Sequence, residues 1–266
     1  MTHRLIKAEF RRLLATRMWG GLLLAAALLG GGMIGAMALV GPEHFEPPMP
    51  GLDTEAGLRS ILGILGITAF VPAAAGTLAV TSEYRHRTAA VTFLFAPRRG
   101  QVLAAKLATY TVAGLAYGLV LAGTAAVALF TVAAARGIAL GLPAATVLQL
   151  LARIGVAMVV YLLVGAGMGA LIRNQIVALC VVIGYLYLGE PVLMMIPGAN
   201  ALYPVLPGGA TAALTGFTYL ADAMSAELGS GTAGLLSPAA GALLLAAYAL
   251  TASAIAVIVP MRRDIT

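Results

Sequence analysis

The sequence predicts an all-α integral membrane protein with six transmembrane helices, an N-terminal in-plane amphipathic helix and both termini in the cytoplasm. The first observation is composition. Of the 266 residues, 61% are hydrophobic and only 10% are charged, and the mean hydropathy is +0.98. Soluble domains carry about 25% charged residues, so this chain has too few to cover a core in water. The second observation is that long runs lack charges altogether, which favours helices over the short alternating segments of a barrel. The third is an unequal distribution of charge between the connecting segments.

Six uncharged runs approach the roughly 20 apolar residues that a helix needs to cross a bilayer. We place the spans at about 18–40, 60–81, 107–132, 154–172, 174–195 and 238–260. Together they form one membrane domain, 18–266, which the in-plane helix 1–17 precedes. Pro72 is expected to kink the second span. The single cysteine, Cys180, excludes an internal disulfide and is interpreted as a small packing residue.

The long connection 196–237, between the fifth and sixth spans, is too apolar for an ordinary solvated loop. A seventh span is disfavoured because prolines and glycines interrupt 191–221, and a lipid-exposed helix broken in this way would leave backbone groups unsatisfied. Two interpretations remain open. The connection either dips into the outer leaflet as a re-entrant segment or lies on the outer face as a cap.

The charges outside the spans predict the orientation. With six spans, thirteen of the 16 Lys and Arg residues fall on the side of the termini, and seven of the 10 acidic residues fall on the other side. Cytoplasmic loops carry the excess of basic residues, so both termini are predicted to be cytoplasmic. The net charge of +6 therefore reflects topology. We expect membrane lipid as a partner and no nucleic acid.

The N-terminal segment 1–17 has the pattern of an amphipathic helix. At 100° per residue, apolar side chains fall on one arc: Ile6, Phe10, Leu13 and Leu14. Basic side chains fall on the other: Arg4, Lys7, Arg11 and Arg12. A helix of this kind lies along the membrane surface, with its basic side towards anionic headgroups. The alternative is a positively charged flank that sets topology and does nothing else.

The loop 83–106 lies on the same side as the termini and contains a short apolar stretch. Thr88 is positioned to cap a short helix over Ala89–Phe95, and Pro97 is expected to end it. A short apolar helix is poorly stable in water unless lipid, the bundle or a partner protein covers it. It is therefore either a turn that hugs the membrane or an element that docks a partner.

Glycines at four-residue spacing predict close packing of helices within the bilayer. The three pairs are Gly31 and Gly35, Gly114 and Gly118, and Gly165 and Gly169. Other motifs are absent from the sequence: there is no phosphate-binding GxxxxGK[ST] and no HExxH, and the three histidines are scattered. We therefore predict no catalytic, metal or cofactor site in this chain, which is not expected to be an enzyme.

Taken together, these features resemble an ABC-2 type permease, the membrane subunit of a bacterial ATP-driven exporter. The most specific part is Glu83-x-Arg85-x-x-Thr88, followed by an apolar turn, by Pro97-x-Arg99 and by Lys106. In that family a loop of this pattern follows the second span and forms the coupling helix that seats in the ATPase. The segment around 204–216 is similar to the family's re-entrant outer element before the last span.

The resemblance implies a role for each part of the chain. It assigns ATPase coupling to ten residues: Glu83, Arg85, Thr88, Val91, Phe93, Leu94, Phe95, Pro97, Arg98 and Arg99. Glu83 and Arg85 are expected at the hinge, as candidates for an ion pair. The in-plane helix, with Arg4, Lys7, Phe10 and Arg11, is expected to move with this loop. The implied location is the bacterial cell membrane.

The resemblance also implies partners. A second permease copy, as a homodimer or with a close paralogue, would form the pathway, and two separate ATPase subunits would bind the ATP and Mg²⁺. The cargo would be hydrophobic or amphipathic, such as a drug, lipid or peptide. Three other functions remain open: a carrier or channel that works alone, a non-transporting membrane scaffold or sensor subunit, and, more distantly, an intramembrane enzyme.

Overall fold

A computed structural model describes residues 2–45, 49–85, 99–172, 174–196, 199–217 and 234–258. Within these ranges all regular structure is helical and no strand occurs. Six helices are long and apolar enough to cross a membrane: Arg17–Val40, Glu55–Arg85, Gly100–Arg136, Ala144–Leu171, Gln175–Met194 and Pro238–Ile255. The predicted class, an all-helical multi-pass membrane protein with six spans, is therefore confirmed at this level.

The chain begins with α1 (Thr2–Ala15), which a single extended residue, Thr16, separates from the first span. The Thr16 hydroxyl donates to the Leu13 carbonyl at 2.7 Å and fixes the break. The first span consists of α2 (Arg17–Ala27), a wider π-helical stretch that contains three consecutive glycines, and α3 (Ile34–Val40).

The second span is also interrupted. It consists of α4 (Glu55–Ile64), a tighter 3-10 stretch over Leu65–Ala69, and α5 (Phe70–Arg85). Pro72 has no backbone N–H to bond the carbonyl of residue 68, so the regular ladder cannot continue through this point. The 3-10 stretch ends at Ala69, three residues before Pro72. The second span therefore departs from a regular α-helix beside the proline at which a kink is expected.

The third and fourth spans are uninterrupted helices, α6 (Arg99–Arg136) and α7 (Ala144–Leu171). At 1.5 Å per residue, α6 is about 57 Å long and exceeds the roughly 30 Å of a hydrocarbon core, so its ends project beyond it. Helix α7 is the central element of the bundle, because it packs against α5, α6 and the last span.

The fifth span begins at α8 (Gln175–Gly184), whose first turn is capped by Asn174, and continues through a π-helical stretch, Tyr185–Gly189, into α9 (Glu190–Met194). Cys180 is exposed on α8, which corrects its interpretation as a packing residue. Its side chain faces away from the helices that α8 contacts.

Two further helices complete the described bundle, α10 (Pro207–Thr215) and the sixth span, α11 (Pro238–Ile258). A 3-10 stretch over Ala199–Val205 precedes α10. Helix α10 packs against α11 and α7, and its seven residues from Gly209 to Thr215 are all buried. Over these seven residues α10 therefore lies among other helices.

The spans approach closely where glycine replaces a side chain. A Cβ atom on Gly165 would overlap the Ala73 carbonyl oxygen of α5, and one on Gly76 would overlap the Leu162 carbonyl oxygen of α7. At the same crossing the Thr77 hydroxyl of α5 donates to the Gly165 carbonyl at 3.1 Å. Small residues thus let α5 and α7 exchange backbone contacts, as is typical of helices in lipid.

The other glycine pairs face specific neighbours. Added Cβ atoms on Gly114 and Gly118 would lie 2.9 Å from the Val159 Cα and 2.7 Å from the Gly155 carbonyl oxygen, both in α7. An added Cβ on Gly169 would lie 2.7 Å from the Thr77 carbonyl oxygen of α5. The first-span pair is looser: a Cβ on Gly31 would lie 3.3 Å from the Thr124 Cβ, and one on Gly35 would lie 3.5 Å from the Ala128 Cβ, both in α6.

Candidate functional site

Four charged side chains meet at one end of the bundle, which we term the basic end because Arg17, Arg85 and Lys106 all lie there. Glu9 and Arg12 come from α1, Glu83 from the end of α5 and Lys106 from the beginning of α6. We call these four residues the ionic cluster. It joins the N-terminal helix to the second and third spans.

Lys106 is the centre of the ionic cluster. Its Nζ atom donates to Glu9 Oε2 at 2.8 Å and also to Glu83 Oε1. Arg12 Nη1 lies 2.6 Å from Glu83 Oε1 and 3.9 Å from Glu9 Oε1. Two carboxylates therefore share two cations, and the cluster carries no net formal charge.

Because the ionic cluster is buried, its contacts have a large effect on stability. Lys106 is only 3% exposed, and Glu9 and Glu83 are each 8% exposed. Removing charges from water costs several kcal/mol per ion unless the geometry and the hydrogen bonds offset it. Removing one partner is more costly still, because it leaves another charge buried and uncompensated. The ionic cluster therefore strongly favours one arrangement of the three helices.

The sequence positions these groups in a simple way. Lys106 lies about two turns inside α6, at the place where the helix surface faces α1 and α5. On α1, Glu9 and Leu13 are four residues apart and share the buried face. Helix α1 packs against α6, and this contact brings Glu9 to Lys106.

The side chains of α1 differ in how far the rest of the protein covers them. Arg4, Lys7 and Arg11 are exposed, and Phe10 is half-buried. Leu14, expected on the apolar side, is 64% exposed, whereas the acidic Glu9 is buried. The side of α1 that carries Glu9 and Leu13 thus faces the bundle, and Leu14 lies outside that contact.

The hinge residues are arranged differently from the expected pair. Within the described ranges, Glu83 binds Lys106 and Arg12, while Arg85 is exposed and forms no ion pair. Several coupling residues predicted from the sequence lie outside the described residues: Thr88, Val91, Phe93, Leu94, Phe95, Pro97 and Arg98. Arg99 begins α6, but its side chain is not among those described.

Sequence reasoning missed three members of the ionic cluster as site residues: Glu9, Arg12 and Lys106. Two signals could have indicated them. Lys106 is one of only two lysines and lies where an otherwise apolar span begins, and Glu9 is the one acidic residue in a strongly basic N-terminal segment. Isolated opposite charges on apolar elements are expected to find one another, because leaving either unpaired is costly.

The ionic cluster positions three helices relative to one another, and its groups are not arranged for catalysis or metal binding. Its lysine and arginine are held by carboxylates, and within the described residues no group of three His, Cys, Asp or Glu side chains comes together that could hold a metal ion. It connects Glu83, near the end of α5, with Lys106, near the beginning of α6. These two residues are the first and last of the loop 83–106 as the sequence predicts it. A displacement of that loop would act on both spans and on α1 together.

Comparison with known proteins adds no relative to this description: no protein family matches the sequence, and no protein of curated function is similar to it.

Proposed function

We propose that this chain is the permease subunit of an ABC-2 type exporter, which pairs with a second permease and two ATPase subunits. The observation that carries the proposal is the buried ionic cluster at the ends of the loop 83–106. A coupling loop has to bind the ATPase and has to move the spans. The sequence pattern of this loop supports the first role, and its connection through the ionic cluster to two spans and to α1 supports the second. The ATP and Mg²⁺ would be bound by the partner, since the sequence has no phosphate-binding motif.

In this proposal the ATPase acts on the apolar stretch Ala89–Phe95. ATP binding closes the ATPase pair and displaces the loop. Because Glu83 and Lys106 are bound to each other and Lys106 also binds Glu9, the second span, the third span and α1 move as one unit. The six-helix halves then rock and open the pathway to the other side. The rigid-body change needs a ligand that distinguishes its two states, and ATP on the partner supplies that difference.

The proposed orientation places the basic end in the cytoplasm. The excess of Lys and Arg at that end supports it. We infer that α1 lies in the plane of the membrane surface, because Thr16 breaks the chain abruptly before the first span and Arg4, Lys7 and Arg11 are exposed on α1. The membrane is proposed to be that of a bacterial cell.

At the other end we infer that the connection between the fifth and sixth spans is re-entrant. Helix α10 packs against α7, α11 and the preceding stretch. A surface cap would leave one face in water. The burial of all seven residues from Gly209 to Thr215 therefore favours the re-entrant interpretation over the cap.

The surface of the bundle is suited to lipid and to a second copy. Large apolar side chains are exposed on several spans, among them Leu24, Leu119, Ile176, Leu188 and Leu243. Exposed apolar surface on this scale needs lipid or protein to cover it. We propose that part of it faces the second permease, and that the pathway between the two carries a hydrophobic or amphipathic cargo outward.

The test is a purification of the tagged chain from its native membrane in mild detergent, with ATP hydrolysis measured on the product. The proposal predicts a stoichiometric P-loop ATPase and ATP turnover. The matched variant is Lys106→Met, which is expected to reduce cargo-stimulated turnover, whereas Lys7→Met on the exposed face of α1 leaves it unchanged. A folded chain that purifies without any nucleotide-hydrolysing partner contradicts the proposal and favours a carrier that works alone or a scaffold.

A further inference from the structure

A second buried charge lies at the end of the bundle away from the ionic cluster. Glu190 begins α9 and is only 5% exposed. Both of its carboxylate oxygens accept from the Gly208 backbone N–H in the first turn of α10, at 3.0 and 2.8 Å. The Tyr185 side chain also hydrogen-bonds the carboxylate. A backbone N–H and a tyrosine hydroxyl are both able to donate to a carboxylate.

No cation neutralises this carboxylate in the part of the chain that the structure describes. No Lys, Arg or His nitrogen among the described residues lies within 4 Å of Glu190. Arg59, which lies near Gly216 at the same end, is bound to Glu55 at 2.8 Å. A buried acid in a membrane protein is costly and marks a functional site whose partner has to be identified.

Glu190 also lines a cavity of about 350 Å³. That volume is within the range of sites for small organic molecules. Glu190 is the one charged residue among the described residues of the lining, and five aromatic side chains accompany it: Phe70, Tyr161, Tyr187, Tyr203 and Phe217. Aromatic faces attract cations within about 6 Å of the ring centroid. The cavity therefore combines a negative charge with the surfaces that bind organic cations.

The aromatic side chains are held in place by specific contacts. The Phe70 and Tyr187 rings meet edge to face, with centroids 5.8 Å apart, and the Tyr187 hydroxyl donates to the Ile67 carbonyl. Tyr161 and Thr211 hydroxyls are hydrogen-bonded at 2.8 Å. The π-helical stretch Tyr185–Gly189 immediately precedes Glu190 and sets its direction, and such stretches are frequent at functional sites.

Three residues that line the cavity also form part of the apolar surface of the bundle. Its rim residues Ile67, Phe70 and Tyr187 are each about 40% exposed. A molecule that enters there comes from a lipid-like phase and needs apolar substituents.

We propose that the cavity beside Glu190 binds a monovalent organic cation with apolar substituents. The cation pairs with the Glu190 carboxylate, and the aromatic side chains enclose its apolar groups. Such a cation is either a soluble lipophilic ion or the quaternary ammonium of a lipid headgroup. That the bound cation is also cargo rests on the proposed exporter function, whereas binding itself does not.

The experiment measures binding of radiolabelled tetraphenylphosphonium to the full-length protein in phosphatidylglycerol nanodiscs, corrected with empty nanodiscs. We expect one saturable site per chain. Triphenylphosphine oxide, which is of similar shape and carries no net charge, is not expected to compete. Since binding is measured without any ATPase, its failure and the failure of the exporter proposal are distinguishable.

Two variants address the charge and the space separately. Glu190→Gln removes the charge and keeps an acceptor for the Gly208 N–H, and it is expected to weaken binding at least tenfold. Gly66 lines the cavity with open space around it, so Gly66→Leu is expected to fill the cavity and weaken binding to a similar extent. Gly184 also has open space but is not among the lining residues, and Gly184→Leu is the control that retains affinity.

The outcomes decide the proposal as follows. The two sources are separated in nanodiscs that contain the same fraction of phosphatidylglycerol and differ only in the second lipid, so that the surface charge stays constant. Weaker binding with phosphatidylcholine than with phosphatidylethanolamine assigns the site to a choline headgroup, and equal binding assigns it to a soluble cation; both results support the proposal. Unchanged affinity in Glu190→Gln, or equal competition by triphenylphosphine oxide, overturns it. If Glu190→Gln does not fold, unchanged affinity in Gly66→Leu overturns it in the same way.

Discussion

The Lys106 ammonium lies 2.8 Å from the Glu9 carboxylate, although 97 positions separate the two residues in the chain. This pair attaches the N-terminal helix to the third span, and the second carboxylate on Lys106, that of Glu83, attaches the second span to both. A membrane bundle with few charges thus concentrates four of them where three helices meet. We propose that the ionic cluster transmits the movement of a partner protein to the spans.

The first prediction concerns the stability of the ionic cluster. Lys106→Met leaves two buried carboxylates with Arg12 alone, and we expect a loss of about 3 kcal/mol in the free energy of unfolding. The measurement is reversible unfolding in mixed micelles, followed by a spectroscopic signal. Lys7→Met, which replaces the other lysine on an exposed face, is expected to change stability by less than about 0.5 kcal/mol.

A double variant separates charge from packing at the same position. Adding Glu83→Gln to Lys106→Met removes the excess negative charge, and part of the lost stability is expected to return. Equal destabilisation by the single and double variants would mean that Lys106 acts through packing alone.

The second prediction concerns the crossing of α5 and α7. Gly165→Ala places a methyl group against the Ala73 carbonyl oxygen, which is backbone and cannot turn aside. We expect a net loss of about 1–3 kcal/mol, since overpacking outweighs the higher helix propensity of alanine. Gly123→Ala introduces the same methyl group in a span where nothing lies near it, and it is expected to be neutral or stabilising. Similar melting temperatures for the two variants would contradict this description of the crossing.

The third prediction concerns the sides of the membrane. In a Cys180→Ser background, His3→Cys and His44→Cys place single thiols on α1 and beyond the end of the first span. Labelling intact cells with a membrane-impermeant maleimide is expected to modify the thiol at position 44 and to spare the one at position 3 until the cells are opened. The reverse pattern would invert the proposed orientation.

The fourth prediction concerns the loop 83–106. Phe93→Asp puts a charge into the apolar stretch proposed to dock the ATPase, and we expect co-purification of the ATPase to fall to background while the six spans stay inserted. Phe45→Asp makes the same change beyond the first span and is expected to retain the ATPase. Full ATPase recovery with Phe93→Asp would show that this segment does not dock the partner.

The sequence was sufficient to predict the spans because each helix that crosses a bilayer needs roughly 20 consecutive apolar residues. Uncharged runs such as 107–132 and 154–172 correspond to the helices α6 and α7. Helix α6 continues past both ends of its predicted run, and α7 begins ten residues earlier than predicted, at Ala144. The spacing of Gly165 and Gly169 indicated a packing face, but not that α5 would be the partner, since the pairing of helices depends on the whole bundle.

The candidate site was harder to predict from the sequence. Glu9, Glu83 and Lys106 are distant along the chain, and only the docking of α1 on α6 brings them together. The apolar arc of α1 gave no indication that the acidic Glu9 would face the bundle and pair with Lys106. Glu190 lies within the predicted fifth span, and the sequence pattern has no means of detecting that the Gly208 N–H of α10 would bond its carboxylate.

The most direct test of the exporter proposal is site-specific photo-cross-linking in native membranes. A photoreactive phenylalanine analogue at position 93 should capture a P-loop ATPase, identified by mass spectrometry, while the same analogue at position 45 should not. Capture from position 93 that increases with a non-hydrolysable ATP analogue is the result that the account predicts. A folded, membrane-inserted chain that captures no ATPase from position 93 would contradict it.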